Sequence, residues 1–144
     1  MDVWGITAVG YLMSLLGVTG GGPGCVALAG LDLQRSLAWS SSSVDAVESL
    51  YVDPASAATE AAALQQWIDR GLELESAMLV IGSCTAEPGS PERVRLTVVD
   101  RLAPTRAIDT SGVAEPLPVD TWSGRQVVLQ QVGGAWRYAE VTER

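Results

Sequence analysis

The sequence predicts an α+β domain in which N-terminal helices pack on one face of a curved, mainly antiparallel sheet. Helical periodicity is confined to the first half of the chain, and the alternation typical of β-strands replaces it from residue 72 onward. Because no strand is predicted between the helices, a parallel sheet with crossover helices is excluded. The 144 residues suffice for one domain with its own hydrophobic core.

The first helix is predicted over residues 26–39. Its apolar residues recur at helical spacing, and we expect this stripe to face the core: Val26, Gly30, Leu33 and Leu37. The charged residue Asp32 falls elsewhere on the helical wheel. The pattern therefore predicts an amphipathic helix with Asp32 outside the core.

Two further helices are predicted before the sheet. Serines at 40–43 end the first helix, and Ser43 can cap a short second one. The third helix, over 55–70, has Pro54 in its first turn and Gly71 as its stop. Its predicted buried stripe is Ala57, Ala61, Leu64 and Ile68.

The second half of the chain reads as an antiparallel meander. The predicted strands cover residues 72–87, 93–102, 124–132 and 136–141, with a smaller strand–turn–strand excursion over 105–118. Gly133 and Gly134 form a two-residue hairpin signal between the last two strands.

The N-terminus resembles a membrane-directed segment. Residues 3–18, "VWGITAVGYLMSLLGV", carry no charge and are too short to span a bilayer as a helix, and "TGGGPG" follows. We therefore divide the chain into a signal- or anchor-like segment with a glycine-rich linker (1–25) and a single domain (26–144). This organisation predicts an extracytoplasmic protein, either anchored or secreted. The alternative is a cytoplasmic protein in which the segment belongs to the fold.

Composition excludes several classes of function. The chain has no histidine, which excludes catalytic sites that need one and removes the commonest zinc ligand. A net charge of −8 argues against nucleic acid as a partner. We predict no metal and no cofactor. Cys25 and Cys84 lack metal-site spacing; they either form a disulfide in an exported protein or are two separate buried thiols.

Four stretches in order resemble the nuclear transport factor two-like superfamily: "LYVDPAS" (50–56), "WIDRGLELESAMLVI" (67–81), "RVRLTVVDRLAPTRAID" (93–109) and "GGAWRYAEV" (133–141). More narrowly, the chain resembles the small extracytoplasmic or membrane-anchored members common in actinobacteria. The resemblance implies a cone-shaped fold. Enzymes of the superfamily direct a carboxylate or histidine, together with a tyrosine or second acid, into the cone. No residue of this chain matches those positions securely, so the resemblance implies no catalytic residues.

Asp100 is the one weak catalytic candidate, because it follows Val94, Leu96 and Val98 on the apolar face of its strand. It can act as a general base with a raised pKa, or it can pair with an arginine such as Arg95, Arg106 or Arg125. A bulge at the doubled valine would instead turn it outward. We favour a structural or exposed role.

Aromatic residues supply the pocket candidates, and each can equally belong to the core: Tyr51, Trp67, Trp122, Trp136 and Tyr138. The preferred function is a non-catalytic domain that binds a partner protein or a small apolar ligand. One alternative is a cyclase, isomerase or dehydratase using Asp100 with a tyrosine. Another is an accessory subunit of an envelope transport or secretion system, and a homodimer through the sheet is a further expectation.

Overall fold

The computed structural model describes residues 22–143, and the predicted membrane-directed segment 3–18 lies outside them. The elements follow in this order: α1 (Gly22–Ser40), α2 (Val44–Glu48), α3 (Pro54–Asp69), β1 (Glu73–Leu74), β2 (Leu79–Ala86), β3 (Arg93–Leu102), β4 (Arg106–Ile108), β5 (Ala114–Pro116), β6 (Ser123–Val132) and β7 (Ala135–Glu143). The predicted α+β class is confirmed.

The strands form two antiparallel sheets. The larger has the order β2-β3-β6-β7, and the smaller has the order β1-β4-β5. The predicted strand over 72–87 was wrong in one respect, because residues 75–78 separate β1 from β2 and the two belong to different sheets. The predicted hairpin is confirmed: Gly133 and Gly134 have φ of 59° and 83°, values that glycine adopts without strain.

The helix boundaries follow from local capping. The Ser43 side chain accepts a hydrogen bond from Ala46 N, and the Asp53 side chain accepts one from Ser56 N, directly before Pro54. The first helix begins at Gly22, four residues before the predicted start. Pro23 is compatible with this position because a proline in the first turn loses no intrahelical hydrogen bond.

Helix α1 packs on the larger sheet through a face that the sequence did not predict. The stripe expected in the core is exposed, with Val26, Leu33 and Leu37 at 67%, 49% and 60% of their full exposure. The buried face includes Cys25, Leu28, Leu31, Asp32 and Ser36. The prediction was wrong because α1 is apolar on both faces, and the face containing Asp32 lies against the sheet.

Two close contacts fix α1 on the sheet. A Cβ at Gly24 would lie 3.1 Å from Leu96 and 3.2 Å from Val94, so glycine permits the close approach of helix and strand. Next to it, Cys25 and Cys84 form a disulfide that links α1 to β2. The core then continues through the side chains of β3, β6 and β7 beneath the helix, including Leu96, Val98, Val127, Leu129 and Tyr138.

The outer edge of β7 is covered by the segment that follows α2. Tyr138 N donates to Leu50 O over 2.8 Å, and Val52 N donates to Tyr138 O over 2.9 Å. This pairing places Tyr51 beside Tyr138, with ring centroids 5.1 Å apart. The polar side chains of the interior are assembled around these two rings.

Candidate functional site

Asp100 lies inside the fold and is paired with Arg125. Strands β3 and β6 run in register from Arg93 to Asp100, so the alternative of a bulge at the doubled valine is absent from this pairing and Asp100 faces inward. Arg125 donates from Nε to Asp100 Oδ2 over 2.8 Å, and its Nη2 atom lies 2.7 Å from the same oxygen. Asp100 is 4% exposed. Of the three arrangements considered for this carboxylate, the structure has the ion-paired one.

A second carboxylate shares the same arginine. Asp32, on the buried face of α1, lies 3.5 Å from Arg125 Nη2 and accepts a hydrogen bond from Tyr138 OH over 2.5 Å. Burial raises the pKa of Asp32 to about 6, although Arg125 and Tyr138 oppose the increase. Burial and the neighbouring Asp32 carboxylate also raise the pKa of Tyr138. Burial opposes the charge of Arg125, but Asp32 and Asp100 outweigh it and raise the pKa of the guanidinium.

A second polar cluster surrounds Glu60 of α3. Its carboxylate pairs with Arg35 of α1 and accepts hydrogen bonds from Trp39 Nε1 over 2.7 Å and from Tyr51 OH over 2.5 Å. Burial, reinforced by the negative charge of Glu60, raises the pKa of Tyr51. Because Tyr51 and Tyr138 are in ring contact, the two clusters form one network that joins the helices to the sheet.

The network satisfies its own polar groups. Asp32, Asp100 and Tyr138 all lie below 5% exposure, and each side chain is hydrogen-bonded to another of them or to Arg125. Such an arrangement holds elements in place, since each buried charge has an opposite charge in contact. A general base needs a substrate proton within hydrogen-bond reach, and here Asp100 is occupied by Arg125 instead.

The sequence did not indicate the importance of Asp32, Arg35 and Glu60. All three lie on helices, where charged residues usually mark the solvent face. Arg35 and Glu60 are 25 residues apart in the sequence, and Asp32 and Tyr138 are 106 residues apart. Helical periodicity reports only neighbours three or four residues apart, so it contains no signal for these pairs.

The five aromatic candidates occupy four different places. Tyr51 and Tyr138 contact each other in the polar network. Trp67 packs edge-on against Trp39, with ring centroids 6.1 Å apart. Trp122 lies on the far side of the larger sheet from α1, beneath the guanidinium of Arg101. Trp136 lines a cleft at the surface.

That cleft lies between α1 and the start of β7. Its volume is about 440 Å³, and its walls combine apolar, aromatic and polar groups: Ala27, Gly30, Leu31, Gln34, Ser49, Leu50, Ala135, Trp136 and Arg137. The apolar stripe of α1 continues beside it, since Gly30 belongs to both. A Cβ at Gly30 would meet nothing within 4 Å. The cleft is of a size that small-molecule sites commonly have.

Residues 22–143 contain neither a metal-binding cluster nor a membrane-spanning helix. No group of three or more cysteine or carboxylate side chains there is arranged to hold a metal ion. None of the three helices in that range is both long and apolar enough to cross a bilayer.

Solved structures share this fold at low sequence identity. Aln2 from a Streptomyces species is 14% identical, with 88% of this chain and 94% of that chain covered and a TM-score of 0.57. A putative calcium/calmodulin-dependent protein kinase II association domain from Xanthomonas campestris is 13% identical, with 94% and 95% covered and a TM-score of 0.57. An uncharacterised protein with a cystatin-like fold from Caulobacter vibrioides is 12% identical, with 85% and 91% covered and a TM-score of 0.50.

No protein-family model and no curated protein matches the sequence. The structural similarity establishes the fold alone: an α+β, cystatin-like fold with helices packed against antiparallel sheets. The resemblance predicted from the sequence is therefore confirmed for the fold. The particular similarity to anchored actinobacterial members stays a prediction.

Proposed function

We propose that this domain is a non-catalytic binding domain that acts outside the cytoplasm and holds a small apolar ligand in the cleft beside α1. The observation that carries the proposal is the uncharged outer face of α1 next to that cleft. The exposed residues of α1 are Gly22, Pro23, Val26, Ala29, Gly30, Leu33, Gln34 and Leu37, and none is charged. On a protein of net charge −8, such a face favours an apolar partner.

The polar interior supports a non-catalytic role. An enzyme built on this network would have to use Asp32 and Tyr138, because Asp100 is bound to Arg125 instead of a tyrosine. A substrate would reach them only after α1 moved away from the sheet. The disulfide between Cys25 and Cys84 links α1 to β2 and opposes that movement.

The same disulfide supports a location outside the cytoplasm, where such bonds persist. The uncharged segment 3–18 agrees with export or anchoring. Protein purified from its native host after thiol blocking provides the test. We expect a bonded cysteine pair in an envelope or secreted fraction, whereas free thiols in a soluble cytoplasmic protein would contradict the location.

Ligand binding is tested by narrowing the cleft. We expect the neutral apolar fluorophore N-phenyl-1-naphthylamine to bind the protein saturably and Gly30→Gln to weaken that binding about tenfold. Glutamine places a polar side chain at the mouth of the cleft, and it favours the helix by about 0.5 kcal/mol over glycine. Ala62→Gln, on the exposed face of α3, is the matched control and should bind like the unmodified protein.

Equal binding by the two glutamine variants would contradict the ligand site. If the fluorophore does not bind at all, while Leu33→Gln abolishes association with an envelope protein of the native host, α1 is a protein-binding face instead. That second outcome corresponds to the accessory-subunit alternative.

A further inference from the structure

The face of the larger sheet that points away from α1 carries a row of arginines. In β3, the inward residues Leu96, Val98 and Asp100 are buried, so Arg93, Arg95 and Arg101 project from the opposite face. These are three of the nine basic residues of a chain whose net charge is −8. Three arginines of β3 thus share one face of an acidic protein, with Glu87 opposite Arg95 at the end of the neighbouring strand.

These arginines are only partly neutralised by the residues around them. Arg95 Nη1 donates to the neutral amide Gln126 over 3.4 Å, and Arg93 Nη1 donates to Gln130 over 2.6 Å. Arg93 also lies 3.7 Å from the carboxylate of Glu140. Within residues 22–143, Arg101 Nε is buried without a hydrogen-bond partner.

Trp122 stands at the end of this row and is held in a defined position. Arg101 Cζ lies 4.7 Å from the centre of its ring. On the neighbouring strand, a Cβ at Gly82 would come within 3.0 Å of the ring, so glycine makes room for the indole. The indole nevertheless remains 49% exposed. Val80, which pairs with Arg101 across the strands, is exposed beside it.

We propose that this arginine–tryptophan surface, formed by Val80, Arg95, Arg101 and Trp122, binds an acidic segment of a partner protein. Guanidinium groups bind carboxylates with two parallel hydrogen bonds, which supplies charge complementarity. Tryptophan and arginine are also the residues most enriched at the energetic centres of protein interfaces. The fitting segment has glutamate or aspartate side chains flanking an apolar residue that rests on Trp122 and Val80.

Charge also argues against a second copy of this chain as the binding partner. A two-fold contact centred on β3 would set two rows of arginines against each other. Like charges directly opposed destabilise an interface. Nucleic acid is disfavoured because its binding depends on neutralising a long run of phosphates, and β3 offers three arginines on this face. This surface and the α1 cleft lie on opposite sides of the sheet, so the two proposals can fail separately.

The test uses a fluorescein-labelled, glutamate-rich peptide with a central leucine, followed by fluorescence anisotropy. We expect saturable binding that weakens as salt increases, because the contact is between exposed charges. Arg101→Gln and Trp122→Ser should each weaken binding about tenfold. Arg70→Gln is the matched control, since it removes the same charge from an exposed position at the end of α3. Thermal melts of all variants establish that each is folded.

Three results would overturn the proposal. The first is equal weakening by Arg70→Gln and Arg101→Gln, which would indicate a general charge effect. The second is equal affinity for a peptide in which every glutamate is replaced by glutamine. The third is a dimer of the unmodified protein, seen by analytical ultracentrifugation and dissociated by Arg101→Glu, which would assign the surface to a second copy.

Discussion

At the residue scale, two buried carboxylates share one guanidinium. Asp100 lies 2.7 Å from Arg125, whereas Asp32 lies 3.5 Å from it. Desolvation therefore dominates at Asp32, whose pKa is raised to about 6. The two acids consequently contribute differently to stability, although both are inside the fold.

The raised pKa of Asp32 predicts that stability falls as pH increases. The folded protein holds this proton more tightly than the unfolded chain, so the contribution is complete below about pH 4 and is lost through pH 6. Between pH 5 and pH 8 the loss is on the order of 1 kcal/mol, or a few degrees of melting temperature. Because the chain has no histidine, few other groups titrate in that range. Thermal melts at both pH values should show the decrease, and Asp32→Asn should remove it.

Asp100→Asn is the matched variant in those melts. It leaves Arg125 with only the more distant Asp32, so we expect a loss of about 1–3 kcal/mol at both pH values. An Asp32→Asn protein that keeps the full pH dependence would contradict the assignment to Asp32. An unchanged melting temperature in Asp100→Asn would show that the ion pair does not stabilise the fold.

At the scale of elements, α1 shows why periodicity alone can select the wrong face of a helix. Apolar residues occur on both sides, and the exposed stripe Val26, Leu33 and Leu37 is as regular as the buried one. The true inner face contains Asp32 and Ser36, which a sequence pattern assigns to solvent. Both are satisfied from the sheet side: Ser36 Oγ accepts from Ala77 N, and Asp32 accepts from Tyr138.

Substitutions on the two faces of α1 should therefore differ in cost. Leu28 is fully buried, and Leu28→Ala should lower the free energy of unfolding by about 2–5 kcal/mol through the cavity it leaves. Leu37→Ala, the same chemical change on the outer face, should stay within about 0.5 kcal/mol. Urea denaturation of the two variants measures both values. Equal losses would show that the outer face is covered in the isolated protein.

At the scale of the whole molecule, the sequence predicted those features of the fold that neighbouring residues determine. Serine and aspartate caps, the Gly133-Gly134 turn and the alternation of β3 are decided by residues near one another, and the predicted α+β class follows from them. The orientation of α1 and the pairing of Asp100 with Arg125 instead depend on contacts between distant strands and helices. Local sequence patterns do not indicate which arginine pairs with Asp100 or which face of α1 packs on the sheet.

The disulfide between Cys25 and Cys84 connects the first helix of the domain to an edge of the larger sheet. Its two cysteines are 59 residues apart, and closing a loop of that length in the unfolded chain stabilises the folded state by about 4 kcal/mol in the chain-entropy model. We expect the Cys25→Ala, Cys84→Ala double variant to melt more than about ten degrees below the oxidised protein. Both cysteines are buried, so the small cavities left by the two sulfurs add to the loss.

Reductant should lower the melting temperature of the unmodified protein and leave that of the double variant unchanged, which separates the effect of the covalent link from that of the cavities. If reductant affects neither protein, α1 is held on the sheet by the polar network and the core alone, and the support that the disulfide gives to a location outside the cytoplasm is withdrawn.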